Sequence, residues 1–140
     1  MVHFNSDQTE IPSINQVKVR EWIEKVAGTY GKRVGEINYI FVSDERILEI
    51  NREFLHHDYY TDHIGFDYSA ANVLSGDLYL SVDTIRSNSR LFGEGYEMEL
   101  HRVIIHGILH LCGLKDKTPE ERKQMETAED EALTLLYKSQ

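Results

Sequence analysis

At 140 residues, with 41% hydrophobic and 28% charged residues, the chain reads as one soluble globular domain, long enough for a real core. No apolar run is long enough to span a bilayer, Met1-Val2-His3-Phe4-Asn5 has no basic region leading into an apolar stretch, and the single cysteine, Cys112, excludes an internal disulfide, so a cytoplasmic protein without membrane contact is expected. A formal net charge of −9 argues against a nonspecific nucleic-acid binder, whose affinity scales with basic phosphate contacts, but leaves RNA open as a ligand.

Val2 to Asn5 fits a short first strand. A helix is expected from Ser13 to Tyr30, where Ser13 and Gln16 fit a capping box and Val19, Trp22, Ile23, Val26 and Tyr30 form one apolar stripe. Gly31 and Gly35 bracket a turn. Glu36 to Ser43 is rich in β-branched and aromatic residues and apolar on both faces, which marks a central strand. Ser43 or Asp44 then caps a helix that turns Ile47, Ile50 and Phe54 inward. A polar loop rich in histidine runs from His56 to Asp62, and two strands follow, His63 to Tyr68 and Ser75 to Ser81. A helix from Val82 to Leu91 and a break at Gly93–Gly95 lead to a long helix from Tyr96 to Cys112.

Thr118-Pro119-Glu120-Glu121 opens the last helix with a cap, a proline in the first turn and acids at the positive end of the helix dipole. Met125, Ala128, Ala132, Leu133 and Leu136 face inward on it. Glu120, Glu121, Glu126, Glu129, Asp130 and Glu131 read as one solvated face. Four strands and about five helices in mixed order imply an α+β fold, a small mixed four-stranded sheet packed with helices around a central buried helix, in a single domain over 1–140.

The chemistry concentrates between His106 and Asp116. His106 and His110 stand four apart, about 40° around a helix, so both imidazoles leave the same face. Gly113 can take a left-handed conformation and end the helix, after which the chain can fold back and bring Asp116 toward the histidines. Two nitrogens and one oxygen on a tetrahedron, with the fourth position open, is the pattern of a catalytic zinc site.

The histidine pair alone also fits a buried helix whose imidazoles are satisfied by backbone carbonyls. The helix stop, the carboxylate beyond it and the apolar setting of Val103, Ile104, Ile105, Ile108, Leu109 and Leu111 favour a metal, because buried histidines need partners. Cys112 points away from His110 and reads as a small core residue. His101 lies roughly 140° round the helix from His106, and His3 is isolated, so both stay outside the site. Arg86, Arg90, Arg102, Lys115 and Lys117 offer either phosphate contacts or ordinary surface charge.

Three blocks carry a resemblance. Arg102-Val103, His106-Gly-Ile-Leu-His110-Leu-Cys-Gly113 and then Pro119-Glu120-Glu121 with Met125 form the first; its centre is similar to the His-Gly-x-Leu-His-Leu-x-Gly signature of the YbeY family, the metal-dependent endoribonucleases of bacterial ribosomal RNA maturation. Ile50-Asn51-Arg52-Glu53-Phe54, leading to Asp58 and Thr61-Asp62-His63-Ile64-Gly65-Phe66, resembles that family's Leu-Asn…Thr-Asp-Val-Leu-Ser-Phe block. Gly76-Asp77-Leu78-Tyr79-Leu80-Ser81 resembles its Gly-Asp-Ile strand. The blocks stand in the family's order and cover most of the chain from about residue 40 onward.

The resemblance implies a single-strand-specific endoribonuclease with one divalent ion, zinc, in each chain. It implies ribosomal RNA as substrate, with roles in 3′-end processing of 16S rRNA and in ribosome quality control, and the small ribosomal subunit as partner. Two departures matter. The family's third metal ligand is usually a histidine and its place is held by Asp116, whose charge should make harder metals more acceptable. Leu55 stands where the family commonly has an arginine thought to handle phosphate; His56, His57 or Lys115 could substitute.

The mechanism so implied is metal-dependent hydrolysis in which His106, His110 and Asp116 hold the ion and carry catalysis, while nearby basic side chains steady the scissile phosphate. Attack by water or by the ribose 2′-hydroxyl is open. Thr61 and Asp62 either support the site from behind or form a turn and strand cap. The rival is a zinc peptidase, since His-x-x-x-His is also that class's helix motif. Such peptidases place a glutamate after the first histidine as general base, and here that position is Gly107. A third reading is a noncatalytic ribosome-associated factor with a structural metal, which a closed coordination sphere would favour.

Overall fold

Runs rich in Val, Ile, Phe and Tyr build the sheet. In the computed structural model, which describes residues 1–54, 63–91, 93 and 95–138, they fold as β1 (Val2–Ser6), β2 (Arg33–Val42), β3 (His63–Asp67) and β4 (Val73–Ser81). The order is β1-β2-β4-β3; β1 and β4 run parallel to β2, and β3 runs antiparallel to β4. β2 is interior, as its two apolar faces require.

It begins earlier than Glu36, because Gly35 lies inside the strand and not in a turn. A Cβ there would sit 2.6 Å from Val73 Cγ1, and the register slips between Val34 and Ile37. The bare backbone and the bulge together let β2 extend, and Arg33 then pairs with Val73, which starts β4 two residues before Ser75.

The helices are α1 (Gln16–Thr29), α2 (Asp44–Phe54), α3 (Val82–Leu91), α4 (Tyr96–Leu111) and α5 (Pro119–Lys138). α1 starts later than Ser13: the Asn15 side chain accepts from the Lys18 N–H at 3.2 Å and takes the capping role. On α2, Ile47 and Ile50 are buried but Phe54 is 57% exposed. Phe54 is the last residue of the helix, its ring rests edge-on against Phe66, and Asn51 takes the inward place.

α1, α3, α4 and α5 share the larger core on one sheet face, while α2 covers a small core of Val42, Ile47, Ile50 and Ile64. α4 is the central element, with ten of its sixteen residues buried. Each buried Ile or Leu contributes about 1.5–3 kcal/mol of transfer free energy. Two hydrogen bonds pin the layers: Tyr39 Oη donates to Ile104 O at 2.7 Å, and Trp22 Nε1 donates to Ala132 O at 2.7 Å.

Gly107 sets how closely α4 lies on the sheet, since a Cβ there would meet Leu78 Cδ1 at 2.9 Å. The motif helix therefore presses against β4, with the short strand β3 alongside. No helix among the described residues is long and apolar enough to cross a membrane.

Candidate metal centre

The i, i+4 spacing on α4 brings the His106 and His110 rings to 4.5 Å between centroids, with their Nε2 atoms 3.0 Å apart. The helix then ends in a Schellman turn. Gly113 takes φ +106°, its N–H donates to His110 O at 3.0 Å, and the Leu114 N–H donates to Leu109 O at 3.1 Å. Beyond the turn a reciprocal capping box fixes the start of α5: Thr118 N–H donates to Glu121 Oε1 at 3.0 Å and Glu121 N–H to Thr118 Oγ1 at 3.1 Å. Asp116 is held between these two stops. Its Oδ2 lies 3.2 Å from His110 Nε2 and 3.3 Å from His106 Nε2. All three residues expected from the sequence thus meet.

The tautomers follow from the partners behind the rings. His110 Nδ1 lies 3.0 Å from the Leu114 carbonyl oxygen, and His106 Nδ1 lies 2.6 Å from Glu129 Oε2. Both partners accept only, so each Nδ1 carries the hydrogen and each Nε2 turns a lone pair inward. Burial, first, then the neighbouring His106, and more weakly His63, hold the His110 imidazole below its usual pKa; Asp116 opposes them.

Two lone pairs and a carboxylate oxygen at 3.0–3.3 Å repel one another unless a cation sits among them. A proton can serve one such contact, whereas a metal ion serves all three. Zinc–nitrogen bonds of about 2.0–2.1 Å imply a tetrahedron edge of about 3.3–3.4 Å, close to the spacing found. The donor set fits a divalent ion.

Glu129 corrects the expectation of a wholly solvated acidic face on α5. It is 6% exposed, and besides His106 it accepts from Arg102 Nη1 at 3.0 Å. Arg102 Nη2 donates to Asp130 at 2.9 Å, so this guanidinium is committed to carboxylates and not offered to phosphate. Position 129 lies on the stripe of Met125, Ala132, Leu133 and Leu136, and that periodicity is the signal that marks it as inward.

His63 is the other residue missed. The β3 register pairs it with Leu80 and pairs Gly65 with Leu78, so it faces α4. One ring nitrogen from each of His63, His106 and His110 lies within 4.8 Å of the others. A cleft of about 310 Å3 opens beside these groups, lined by His63, Gly65, Asp67, His110 and Asp116 among others.

The residues left out of the site stay out. His101 Nδ1 pairs with Tyr137 Oη at 2.8 Å and its ring stands edge-on to Trp22. His3 pairs with Glu36 on β2, on the edge strand farthest from β3. Cys112 packs half-buried against the core, and burial pushes its thiol up to about 11. Leu55, His56, His57, Thr61 and Asp62 lie outside the described residues.

The family model described as Endoribonuclease YbeY matches residues 2–137. The chain belongs to the YbeY family. Relatives named Endoribonuclease YbeY are similar to it along nearly its whole length. The one from Bacteroides thetaiotaomicron is 58% identical over 134 residues, covering 96% of this chain and 98% of that protein. The one from Phocaeicola vulgatus is 55% identical over 136 residues, 97% of this chain and 99% of that protein. The one from Porphyromonas gingivalis is 53% identical over 138 residues, 99% and 91% respectively.

The fold is shared with TM1509 from Thermotoga maritima, whose solution structure aligns with a TM-score of 0.68 at 24% identity, over 99% of this chain and 91% of that one. In this YbeY-family chain the residue after His106 is Gly107, which has no group to move a proton, so the general base of the peptidase reading is missing there.

Proposed function

We propose that the chain is a metal-dependent, single-strand-specific endoribonuclease of the cytoplasm that matures ribosomal RNA on the small subunit, with the 3′ end of 16S rRNA as its target and a part in ribosome quality control. The observation that carries this reading is the convergence of His106 Nε2, His110 Nε2 and Asp116 Oδ2 within 3.0–3.3 Å, with both tautomers locked from behind. These three side chains would hold the ion, and the nitrogen-rich set with one carboxylate suits zinc. A divalent ion held there would supply a Lewis acid for a phosphoryl oxygen and a coordinated water of lowered pKa.

The chain's own residues supply the rest. Glu129 and the Leu114 carbonyl keep both imidazoles aimed, so little reorganisation is left for the reaction. The missing Cβ atoms at Gly65 and Gly107 keep the cleft floor low beside His110. Lys115 and Lys117 lie exposed on either side of Asp116, where a phosphate backbone entering an otherwise acidic cleft meets positive charge.

The deciding experiment is cleavage of labelled single-stranded and duplex RNA by the chain, with and without chelator, beside His110→Ala purified in parallel. Cleavage of the single strand alone is expected, lost with chelator, restored by zinc and absent in the variant. No cleavage by metal-loaded protein, on free RNA or on small subunits, would sink the proposal.

Asp116→His tests the carboxylate's part. Removing one negative charge should shift the pH–rate profile to lower pH and narrow the range of ions that restore activity, with manganese and magnesium losing ground to zinc. An unchanged profile and unchanged metal preference would remove Asp116 from the site.

A further inference from the structure

We infer that His63 is a fourth metal-binding side chain of this centre, so that the ion is held by three imidazoles and one carboxylate. The inference rests on the metal reading of His106, His110 and Asp116, and adds a ligand from a different element. β3 runs antiparallel to β4, and directly opposed residues share a face. His63 opposes Leu80 and Gly65 opposes Leu78, whose side chain touches α4 at Gly107. The His63 ring is therefore delivered to the α4 side, 4.8 Å from the His106 ring and 5.7 Å from the His110 ring between centroids.

One ring nitrogen of His63 lies within 4.8 Å of one ring nitrogen on each of the other two histidines. Neighbouring ligands of one zinc ion stand about 3.3 Å apart, so a swing of about 1.5 Å or less at the half-exposed His63 side chain brings its nitrogen to ligand spacing from the two histidine nitrogens. The position lies at the mouth of a cleft whose lining sets leucine and glycine beside Asp67, His110 and Asp116.

The consequence concerns exchange. With four side chains on the ion, a further ligand would enter either as a fifth or in place of one of them. His106 and His110 are each braced from behind, by Glu129 and by Leu114 O, on the central helix. Exchange therefore falls to His63 or Asp116, which approach from β3 and from the loop before α5.

The test is X-ray absorption at the zinc edge of the full chain loaded with one zinc, together with zinc affinity by chelator competition for wild type, His63→Leu and His110→Ala. Three imidazoles per zinc in the wild type are expected. His63→Leu should weaken zinc at least about tenfold, and the cobalt-substituted variant should lose visible absorption as solvent replaces the imidazole. Two imidazoles per zinc in the wild type overturns the inference without any variant. Equal affinity and equal cobalt spectra in His63→Leu, with His110→Ala impaired, overturn His63 alone. A wild type that binds no zinc overturns the metal reading with it.

Discussion

Replacing His110 with alanine is expected to weaken zinc binding on the order of a hundredfold and to end RNA cleavage while the chain still folds. His110 Nε2 is the atom nearest both other donors, 3.0 Å from His106 Nε2 and 3.2 Å from Asp116 Oδ2. Its loss leaves the remaining donors without a common centre. Structural zinc sites bind with about 10–16 kcal/mol shared among four ligands, so one ligand carries about 3 kcal/mol, on the order of a hundredfold in affinity. The fold loses much less. His110 is only half-buried, and its one hydrogen bond to the backbone, at Leu114 O, is worth about 1 kcal/mol net.

Thermal unfolding separates the two effects. Metal that binds only the native state raises Tm by mass action, so chelator should lower the wild-type Tm and move the His110→Ala Tm far less. A variant that responds to chelator as strongly as the wild type would show that the ion sits elsewhere.

The parts of this centre differ in how legible they are, for a physical reason. His106, His110, Gly113 and Asp116 lie within eleven consecutive residues, and helical periodicity with one left-handed glycine is enough to bring them together. His63 comes from a strand more than forty residues earlier. Its place depends on the β3–β4 register, which no local pattern specifies, and the block it resembles has valine there. Glu129 is a different case. Its position on the inward stripe of α5 is readable, but among so many acids its charge suggests solvent, and only His106 and Arg102 across the helix interface explain a buried carboxylate.

The fold shows the same division. The interior strand and the motif helix follow from composition and period, whereas the start of β2 depends on Gly35 meeting Val73 across the sheet.

Glu129→Ala is expected to weaken zinc binding by about 10–100-fold and also to destabilise the metal-free chain. The carboxylate does two jobs from one buried place. Through Oε2 it accepts the His106 Nδ1–H at 2.6 Å, a short charge-assisted contact that fixes the ring and makes Nε2 a better donor. Through Oε1 it accepts from Arg102 at 3.0 Å. Without it, His106 is free to put its hydrogen on Nε2, which turns a ligand into a donor facing the ion. Arg102 keeps only the exposed Asp130 and is itself partly exposed, so the cost falls below the about 3–5 kcal/mol of a fully buried pair broken on one side.

Glu129→Gln tells the two jobs apart. Its single carbonyl oxygen can serve His106 or Arg102 but not both, and its amide presents hydrogens to the other donor. Arg102→Met spares the His106 contact, so it should lower the urea midpoint of the chelator-treated protein while changing zinc affinity far less than Glu129→Ala does. If Glu129→Ala lowered that midpoint and left zinc affinity untouched, the carboxylate would be a structural ion-pair partner, and the His106 tautomer would be set by the ion itself.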